Sequence, residues 1–278
     1  MTALEIRRAD RADVATMLDW AADEGWNPGV GDAAPFHEAD PDGFLLGWLG
    51  GEPVASISFV RYDPHFAFLG CYIVRPPYRG QGHGLAMWRA ALALREDRVV
   101  GLDGVVAQQA AYARSGFALV RRNIRFEGRG GGTRPSGVVP LEDVGIDAVA
   151  AYDRSIFPTD RRRFLADWLA PDGGEVLAVV DDVRVRGYGV VRPCRTGWKV
   201  GPLFADTPAD AASILDGLSA HAGEAPCFLD VPEPNLAALR LAEARGMRPS
   251  FETARMYLGP APEEPVERIF GVTSFELG

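Results

Sequence analysis

A glycine cluster that follows an apolar segment constrains this chain more than any other sequence feature. Residues 66–75 (FAFLGCYIVR) predict a strand covered on both faces, and residues 84–95 have the periodicity of a helix. Between them stands the segment 79–84, RGQGHG. Backbone N–H groups and the positive end of the helix dipole converge at such a junction, so the segment predicts an anion-binding loop.

The spacing of the glycines separates three kinds of anion-binding loop. A P-loop requires Gly-Lys-Ser/Thr, which is absent here. A dinucleotide-binding GxGxxG that starts at Gly80 requires glycine at position 85, where Leu85 stands. A dinucleotide-dependent oxidoreductase is therefore disfavoured, also because residues 43–62 predict an antiparallel hairpin. The cluster instead matches the pattern Q/R-x-x-G-x-G/A.

That pattern resembles the pyrophosphate-binding motif of the GCN5-related N-acetyltransferase (GNAT) superfamily. The preceding IVRPPYRG and the later Tyr-x-x-x-Gly-Phe, which starts at Tyr112, make the resemblance specific. It covers residues 4–126, and the second half of the chain through its element order and residues 235–247. It implies an α+β (α/β/α) fold, in tandem, in which each copy has a mixed, mostly antiparallel sheet flanked by helices.

The resemblance also implies the co-substrate, acetyl-CoA, and the residues that bind it. In the family, the strand before the loop leaves its neighbour and pairs with the pantetheine amides, and the loop binds the pyrophosphate. The residues at the matching positions are Tyr72, Ile73, Val74, Arg79, Gly80, Gln81, Gly82, His83, Gly84 and Leu85. His83 has no second histidine nearby, so we expect a loop residue beside the phosphates rather than a metal ligand.

The chemistry implied by the family is direct attack of an amine on the thioester, with a proton supplied to the leaving thiolate. Tyr112 occupies the position of that general acid, and the alternative is a tyrosine whose ring packs on the sheet. Where many members have an asparagine seven residues earlier, this sequence has Val105. Either Gln108 or Gln109 supplies a substitute amide, or the contact that the asparagine makes in the family is missing here.

No general base is evident from the sequence, and the acceptor is weakly defined. Glu24 and Asp103 are candidate bases, although solvation and capping of a sheet end are the alternatives. The family places its acceptor-binding helices near residues 20–36, which predicts acceptor contacts from Glu24, Trp26 and Asn27 in a pocket with aromatic walls that include Trp20 and Phe36. For Trp20, which stands at helical spacing beside Met17, ordinary core packing is the alternative.

An internal repeat divides the chain. Residues 102–105 (LDGV) correspond to 229–231 (LDV), and 112–117 (YARSGF) to 242–247 (AEARGM). We predict a catalytic domain at 1–126, a glycine-rich linker at 127–136 and a degenerate copy at 137–278. In that copy, residues 201–210 (GPLFADTPAD) lack the glycine cluster and carry aspartates in place of the arginine, and the tyrosine position holds Ala242, so coenzyme A should not bind there.

Composition narrows the partners. The net charge of −9 disfavours nucleic acid and anionic membranes and favours a cationic acceptor. An N-terminus without an apolar leader and the absence of long apolar stretches predict a cytoplasmic protein, with no membrane partner. The three cysteines have no metal-ligand spacing, so no metal is expected. We expect an N-acetyltransferase acting on a primary amine of a small molecule, as a monomer or homodimer; the alternative is a non-catalytic acyl-CoA sensor or scaffold.

Overall fold

The computed structural model describes residues 3–182 and 184–278 and contains a mixed sheet flanked by helices. The strands are β1 (Glu5–Arg8), β2 (Phe44–Leu49), β3 (Glu52–Arg61), β4 (Phe66–Val74), β5 (Val99–Val105), β6 (Ala118–Arg129), β7 (Val139–Pro140), β8 (Glu175–Asp181), β9 (Arg184–Pro193), β10 (Trp198–Ala205), β11 (Pro226–Pro232), β12 (Arg248–Leu258) and β13 (Ile269–Gly271). The helices are α1 (Arg11–Asp23), α2 (Ala33–Ala39), α3 (His83–Leu92), α4 (Gln109–Arg114), α5 (Ile146–Arg154), α6 (Arg162–Trp168), α7 (Pro208–Ala222) and α8 (Leu236–Ala244).

One continuous sheet runs through both halves of the chain. Its strand order is β1-β2-β3-β4-β5-β12-β6-β11-β10-β9-β8-β7, and β13 pairs with β10 outside this path. Among the paired strands described, β4 with β5 and β10 with β11 are parallel, and the other pairs are antiparallel. The predicted class, a mixed and mostly antiparallel sheet with helices, is confirmed.

The two halves exchange strands at the centre of this sheet. Strand β12, from the second half, lies between β5 and β6 of the first, and β6 in turn pairs with β11 of the second. Residues 127–129, predicted as the start of the linker, belong to β6 because their backbone pairs with residues 226–228 of β11. The proposed units 1–126 and 137–278 thus share a sheet. The glycines led to the prediction of a flexible linker where the first residues continue a strand.

Helices and a shared apolar cluster hold the two halves together. Helix α1 begins at a capping box, in which Asp13 N–H donates to Asp10 Oδ1 at 2.9 Å. Helix α2 packs on α6, where the rings of Phe36 and Trp168 stack at 6.1 Å. The cluster around them includes residues of α1, α2, α5 and α6.

None of the helices in the described residues has the length and apolar character needed to cross a membrane.

The C-terminal segment connects the second half to the first. After β13, Val272 N–H donates to Asp230 O at 2.8 Å, and the backbone of Glu276 then packs on Gly70 of β4. The hydroxyl of Tyr62, which directly follows β3, donates to Leu277 O at 2.9 Å. Residues 269–278 are buried throughout. The C-terminal segment thus adds the strand β13 to the second half and docks on the first half.

Candidate active site

A gap between β4 and β5 forms the main cavity. The two strands pair in parallel only from Phe66 with Val99 to Leu69 with Leu102. Beyond Leu69, Cys71 has a φ of +46° and the register of β4 with β3 shifts, as in a β-bulge. The bulge bends β4 away from β5, and the resulting cavity has a volume of about 540 Å³.

Most of the predicted donor-site residues line this cavity. They are Tyr72, Ile73, Val74, Arg79, Gly80, Gly82, Gly84 and Leu85. Two do not: the side-chain amide of Gln81 donates to Pro77 O at 3.0 Å, which fixes the loop, and His83 stands at the start of α3 with its Nε2 buried and without a hydrogen-bond partner. Tyr72 to Val74 form a strand edge that β5 does not cover, so their backbone is available to an extended ligand.

The loop that closes one end of the cavity has the geometry of an anion site. Gly80 and Gly82 have φ values of +74° and +86°, a region that side chains disfavour. The first helical bond of α3 is from Ala86 N–H to Gly82 O, so the N–H groups in the first turn before it have no helical acceptor. A Cβ atom on Gly84 would lie 2.7 Å from the Tyr72 hydroxyl. An elongated ligand with a terminal anionic group, such as an acyl-CoA, fits this arrangement.

Arg79 and Glu24 form an ion pair at the mouth of the cavity. The Arg79 Nε–H also donates to Val74 O at 2.8 Å, and a second guanidinium nitrogen donates to the Glu24 carboxylate. Both side chains remain partly exposed. The positive charge predicted beside the loop is therefore in place, and one of the predicted acceptor residues, Glu24, holds it there.

Tyr112 stands in the cavity wall opposite the bulge of β4. Its ring is buried and stacks on Trp88 at 5.3 Å, and it fills the space above Gly104, where a Cβ would lie 2.6 Å from the ring. Burial, with a smaller contribution from Tyr72, raises the pKa of Tyr112 well above its ordinary value. The phenol is therefore protonated at neutral pH, as a proton donor requires. Gln108, one of the two candidate amides, also lines the cavity.

The far end of the cavity is built by residues from both halves. Trp26 lines it as predicted, together with Phe251, Phe275 and Glu276 of the second half. Sequence reasoning missed the last three, since nothing in the local sequence places residues 251–276 beside β4. The apolar character of residues 266–277 (VERIFGVTSFEL) indicates that this segment is buried, but it does not indicate against which part of the chain.

Three residues predicted near the acceptor lie elsewhere. Trp20 does not line the cavity; it packs on the cluster shared by the two halves, with the guanidinium of Arg75 over its ring at 5.7 Å. The side chain of Asn27 accepts from Thr196 N–H at 2.9 Å and donates to Thr196 O at 3.0 Å, so it joins the two halves and does not line the cavity. Phe36 is fully buried in the cluster between α2 and α6. We therefore do not include these three residues in the acceptor site.

Asp103, a candidate base, is fully engaged in a buried network. Its carboxylate accepts from Arg255 at 2.7 and 3.0 Å and from the Asn123 amide at 2.7 Å. The side chain has no solvent exposure. At the position that corresponds in the repeat, Asp230 of β11 pairs with Arg125 of β6 at 2.7 and 2.8 Å. These aspartates hold the exchanged strands in place, so the structure assigns Asp103 a structural role.

In the described residues of the second half, the position that corresponds to this gap is filled by the chain itself. Strands β10 and β11 pair in parallel only over residues 198–200, and β13 then fills the space between them, with its Phe270 fully buried. The N-terminus of α7, which corresponds to the anion site, is capped by Thr207, whose hydroxyl accepts from Asp210 N–H at 3.2 Å. The chain's own backbone thus occupies the place where a ligand would lie, which supports the prediction that this copy does not bind coenzyme A.

Comparison with known proteins defines the family. A model described as the acetyltransferase (GNAT) family matches residues 11–117, and one described as an acetyltransferase (GNAT) domain matches residues 149–271. The chain is 32% identical over 267 residues to the holothin acyltransferase of Pseudoalteromonas sp., covering 94% of this chain and 90% of that protein. The chain belongs to the GNAT family.

Solved structures agree with this assignment. This GNAT chain is similar to a proposed acetyltransferase of Pyrococcus horikoshii, with a TM-score of 0.84 and 26% identity over 100% of this chain and 97% of that one. A tandem GNAT protein from the clavulanic acid biosynthesis pathway shares the fold, with a TM-score of 0.63, 16% identity and coverage of 93% and 100%. The protein is therefore a tandem GNAT acyltransferase, and the family generally uses an acyl-CoA donor.

Proposed function

We propose that this protein transfers an acetyl group from acetyl-CoA to a primary amine of a small-molecule acceptor. The observation that carries the proposal is the continuous cavity that runs from the loop at Gly80 and Gly82 to the hydroxyl-bearing ring of Tyr112. The loop supports binding of a pyrophosphate, and the uncovered edge of β4 supports binding of the pantetheine. Acetyl-CoA would supply the activated thioester.

The roles that we propose for the residues follow from this placement. Residues 80–85 bind the pyrophosphate through backbone N–H groups, and Arg79 adds a positive charge beside it. The backbone of Tyr72, Ile73 and Val74 orients the pantetheine along the gap. In direct attack, the amine nitrogen bonds to the carbonyl carbon and the C–S bond breaks. Tyr112 then donates its proton to the leaving sulfur.

The acceptor proposal rests on the far end of the cavity and on a relative. A volume of about 540 Å³ lies in the range of small-molecule sites. Trp26, Phe251 and Phe275 provide aromatic walls, while Glu24 and Glu276 provide negative charge. These features support a cationic or aromatic amine. The similar protein of Pseudoalteromonas sp. is named holothin acyltransferase, which supports a small molecule rather than a protein as the acceptor.

The test combines donor binding with turnover. Isothermal titration should show that acetyl-CoA binds wild type at one site per chain and does not bind Gly82→Asp, whose carboxylate repels the pyrophosphate. Gly246→Asp is the matched control, because Gly246 also has a positive φ (+71°) and open space around it but lies in the second half. Thiol release should then be measured with a panel of primary amines. Binding of acetyl-CoA without turnover of any amine would favour the sensor function. No binding of acetyl-CoA would refute its proposed role as the donor.

A further inference from the structure

The C-terminal segment places a carboxylate at the inner end of the cavity. Residues 272–278 leave β13 and pass along β4, where Leu277 N–H donates to the Ser274 hydroxyl at 3.1 Å and Gly278 N–H donates to Ser274 O at 3.1 Å. The backbone of Glu276 packs directly on Gly70. These contacts fix the segment, so the side chain of Glu276 has a defined position in the cavity wall.

Glu276 is a buried acid with an unused oxygen. Its exposed fraction is 3%, and its Oε1 atom is buried without a hydrogen-bond partner. No ion pair to Glu276 is found in the described residues. Buried carboxylates are nearly always paired, so an unpaired one requires an explanation. The residue also lines the cavity, where a ligand N–H group would give its carboxylate a partner.

The other cavity carboxylates do not have a free oxygen in this position. Glu24 is at the mouth and pairs with Arg79, while both oxygens of Asp103 accept hydrogen bonds from Arg255. Of the three carboxylates that line the cavity in the described chain, Glu276 is thus the one with a buried, unpartnered oxygen. It also lies near the bulge at Cys71, where β4 leaves β5.

The charged groups that face Glu276 are engaged with other partners. Arg125 of β6 pairs with Asp230 of β11, and Arg192 of β9 pairs with Asp32 before α2. The ammonium of Lys199, on β10, donates to Asn27 O at 2.8 Å. From β4 the thiol of Cys71 faces it, and Cys194 lies in the same charge cluster. In the described residues, none of these groups donates a hydrogen bond to Glu276.

We propose that Glu276 is the general base that accepts the proton of the acceptor amine. The inference rests on the proposed acyl transfer and assigns it a residue from the degenerate half. As the amine nitrogen bonds to the carbonyl carbon, its proton passes to Glu276. As the C–S bond breaks, the sulfur receives the proton of Tyr112. The products are the amide and free coenzyme A, and Glu276 then returns its proton to the Tyr112 phenolate through solvent.

The test uses Glu276→Gln in the full chain, with acetyl-CoA and the primary amine that wild type acetylates fastest in the panel. Thiol release should show kcat/KM lower by roughly 10²- to 10⁴-fold, as expected for loss of a general base. The acidic limb of the pH profile of kcat/KM should disappear. Titration with acetyl-CoA should give a dissociation constant within about threefold of wild type, because the donor does not need the base.

Two further variants separate a chemical role from a structural one. Glu267→Gln removes the same charge from an exposed position in the same C-terminal region and should behave as wild type. Glu276→Asp keeps a carboxylate, so it should recover part of the kcat that Glu276→Gln loses, together with the acidic limb of the pH profile. This variant tests the role of the carboxylate even where Glu276→Gln folds poorly. If wild type is active and Glu276→Gln has the same rate and pH profile, the role of Glu276 as the base is refuted, while the proposed acyl transfer stands. A wild type that binds acetyl-CoA but acetylates no amine refutes the proposed function, and the inference with it.

Discussion

Asp103 and Arg255 form a two-pronged ion pair between strands from different halves of the chain, with distances of 2.7 and 3.0 Å. Both side chains are buried almost completely. Asp103 is on β5 and Arg255 is on the exchanged strand β12, and the repeat forms the same kind of pair between Asp230 and Arg125. Each pair joins an exchanged strand to its host, which ties the stability of one half to the other.

Removing one partner of this pair should be costly. In Asp103→Asn, the buried Arg255 keeps only the more distant Glu264, 3.7 Å away, as a charge partner. We expect the free energy of unfolding to fall by about 3–5 kcal/mol, the usual effect of leaving a buried charge unpaired. Urea unfolding followed by far-UV circular dichroism measures it.

The double variant Asp103→Asn/Arg255→Met provides the control for this prediction. Because it removes both charges, it should lose less stability than the sum of the two single variants. Additive losses would show that the two residues stabilise the fold independently, against the pairing seen in the structure.

The packing of the C-terminal segment on β4 depends on Gly70. The carbonyl carbon of Glu276 lies 2.9 Å from the position that a Cβ would take on this residue. Gly70→Ala should therefore displace the segment and cost about 1–3 kcal/mol, the range for overpacking. Thermal unfolding checks this against Gly137→Ala, where a Cβ meets open space and the stability should stay within about 0.5 kcal/mol. Equal stability of the two variants would contradict this close contact.

The hydroxyl of Tyr112 should matter for turnover and little for folding. Tyr112→Phe keeps the ring that stacks on Trp88 but removes the proposed proton donor. We expect kcat to fall by roughly 10²- to 10⁴-fold, with an unchanged affinity for acetyl-CoA. Thiol-release kinetics and titration measure the two quantities.

A matched tyrosine in the second half controls for the loss of a buried hydroxyl. Tyr152 is as buried as Tyr112, but its hydroxyl donates to Arg186 O at 2.8 Å, remote from the cavity. Tyr152→Phe should lower stability and leave kcat unchanged. If Tyr112→Phe keeps wild-type kcat, its ring only packs on the sheet.

How far the sequence leads depends on the range of the interactions involved. The loop at residues 79–84 is predictable because its conformation needs local glycines and its ligand contacts come from the adjacent backbone. The exchange of β6 and β12 is not predictable from the sequence, because the alternation of residues 118–129 is compatible with pairing to a strand of either half. Glu276 and Phe275 reach the cavity only through that long-range arrangement, so their position along the chain gave no indication of a role.

Strand β13 should keep the second half closed to coenzyme A. Phe270 is fully buried between β10 and β11, so Phe270→Ala should cost about 3–5 kcal/mol by creating a cavity. Leu236→Ala, at a position with 61% exposure, is the control and should cost little. Titration of wild type with acetyl-CoA should give one site per chain. A second site per chain would show that β13 leaves the gap.

The pair of Asp230 with Arg125 should make stability depend on pH. Burial alone would raise the pKa of Asp230, but the charge and hydrogen bonds of Arg125 outweigh it and hold the pKa below its ordinary value. The ionised carboxylate therefore stabilises the folded state above the unfolded pKa of about 4, and this contribution is lost as the pH falls through the lower folded value. Asp230→Asn should be less stable than wild type at pH 7, and urea unfolding between pH 7 and pH 3 should show the difference shrinking below about pH 4. A difference that stays constant to pH 3 would mean that the carboxylate charge does not contribute.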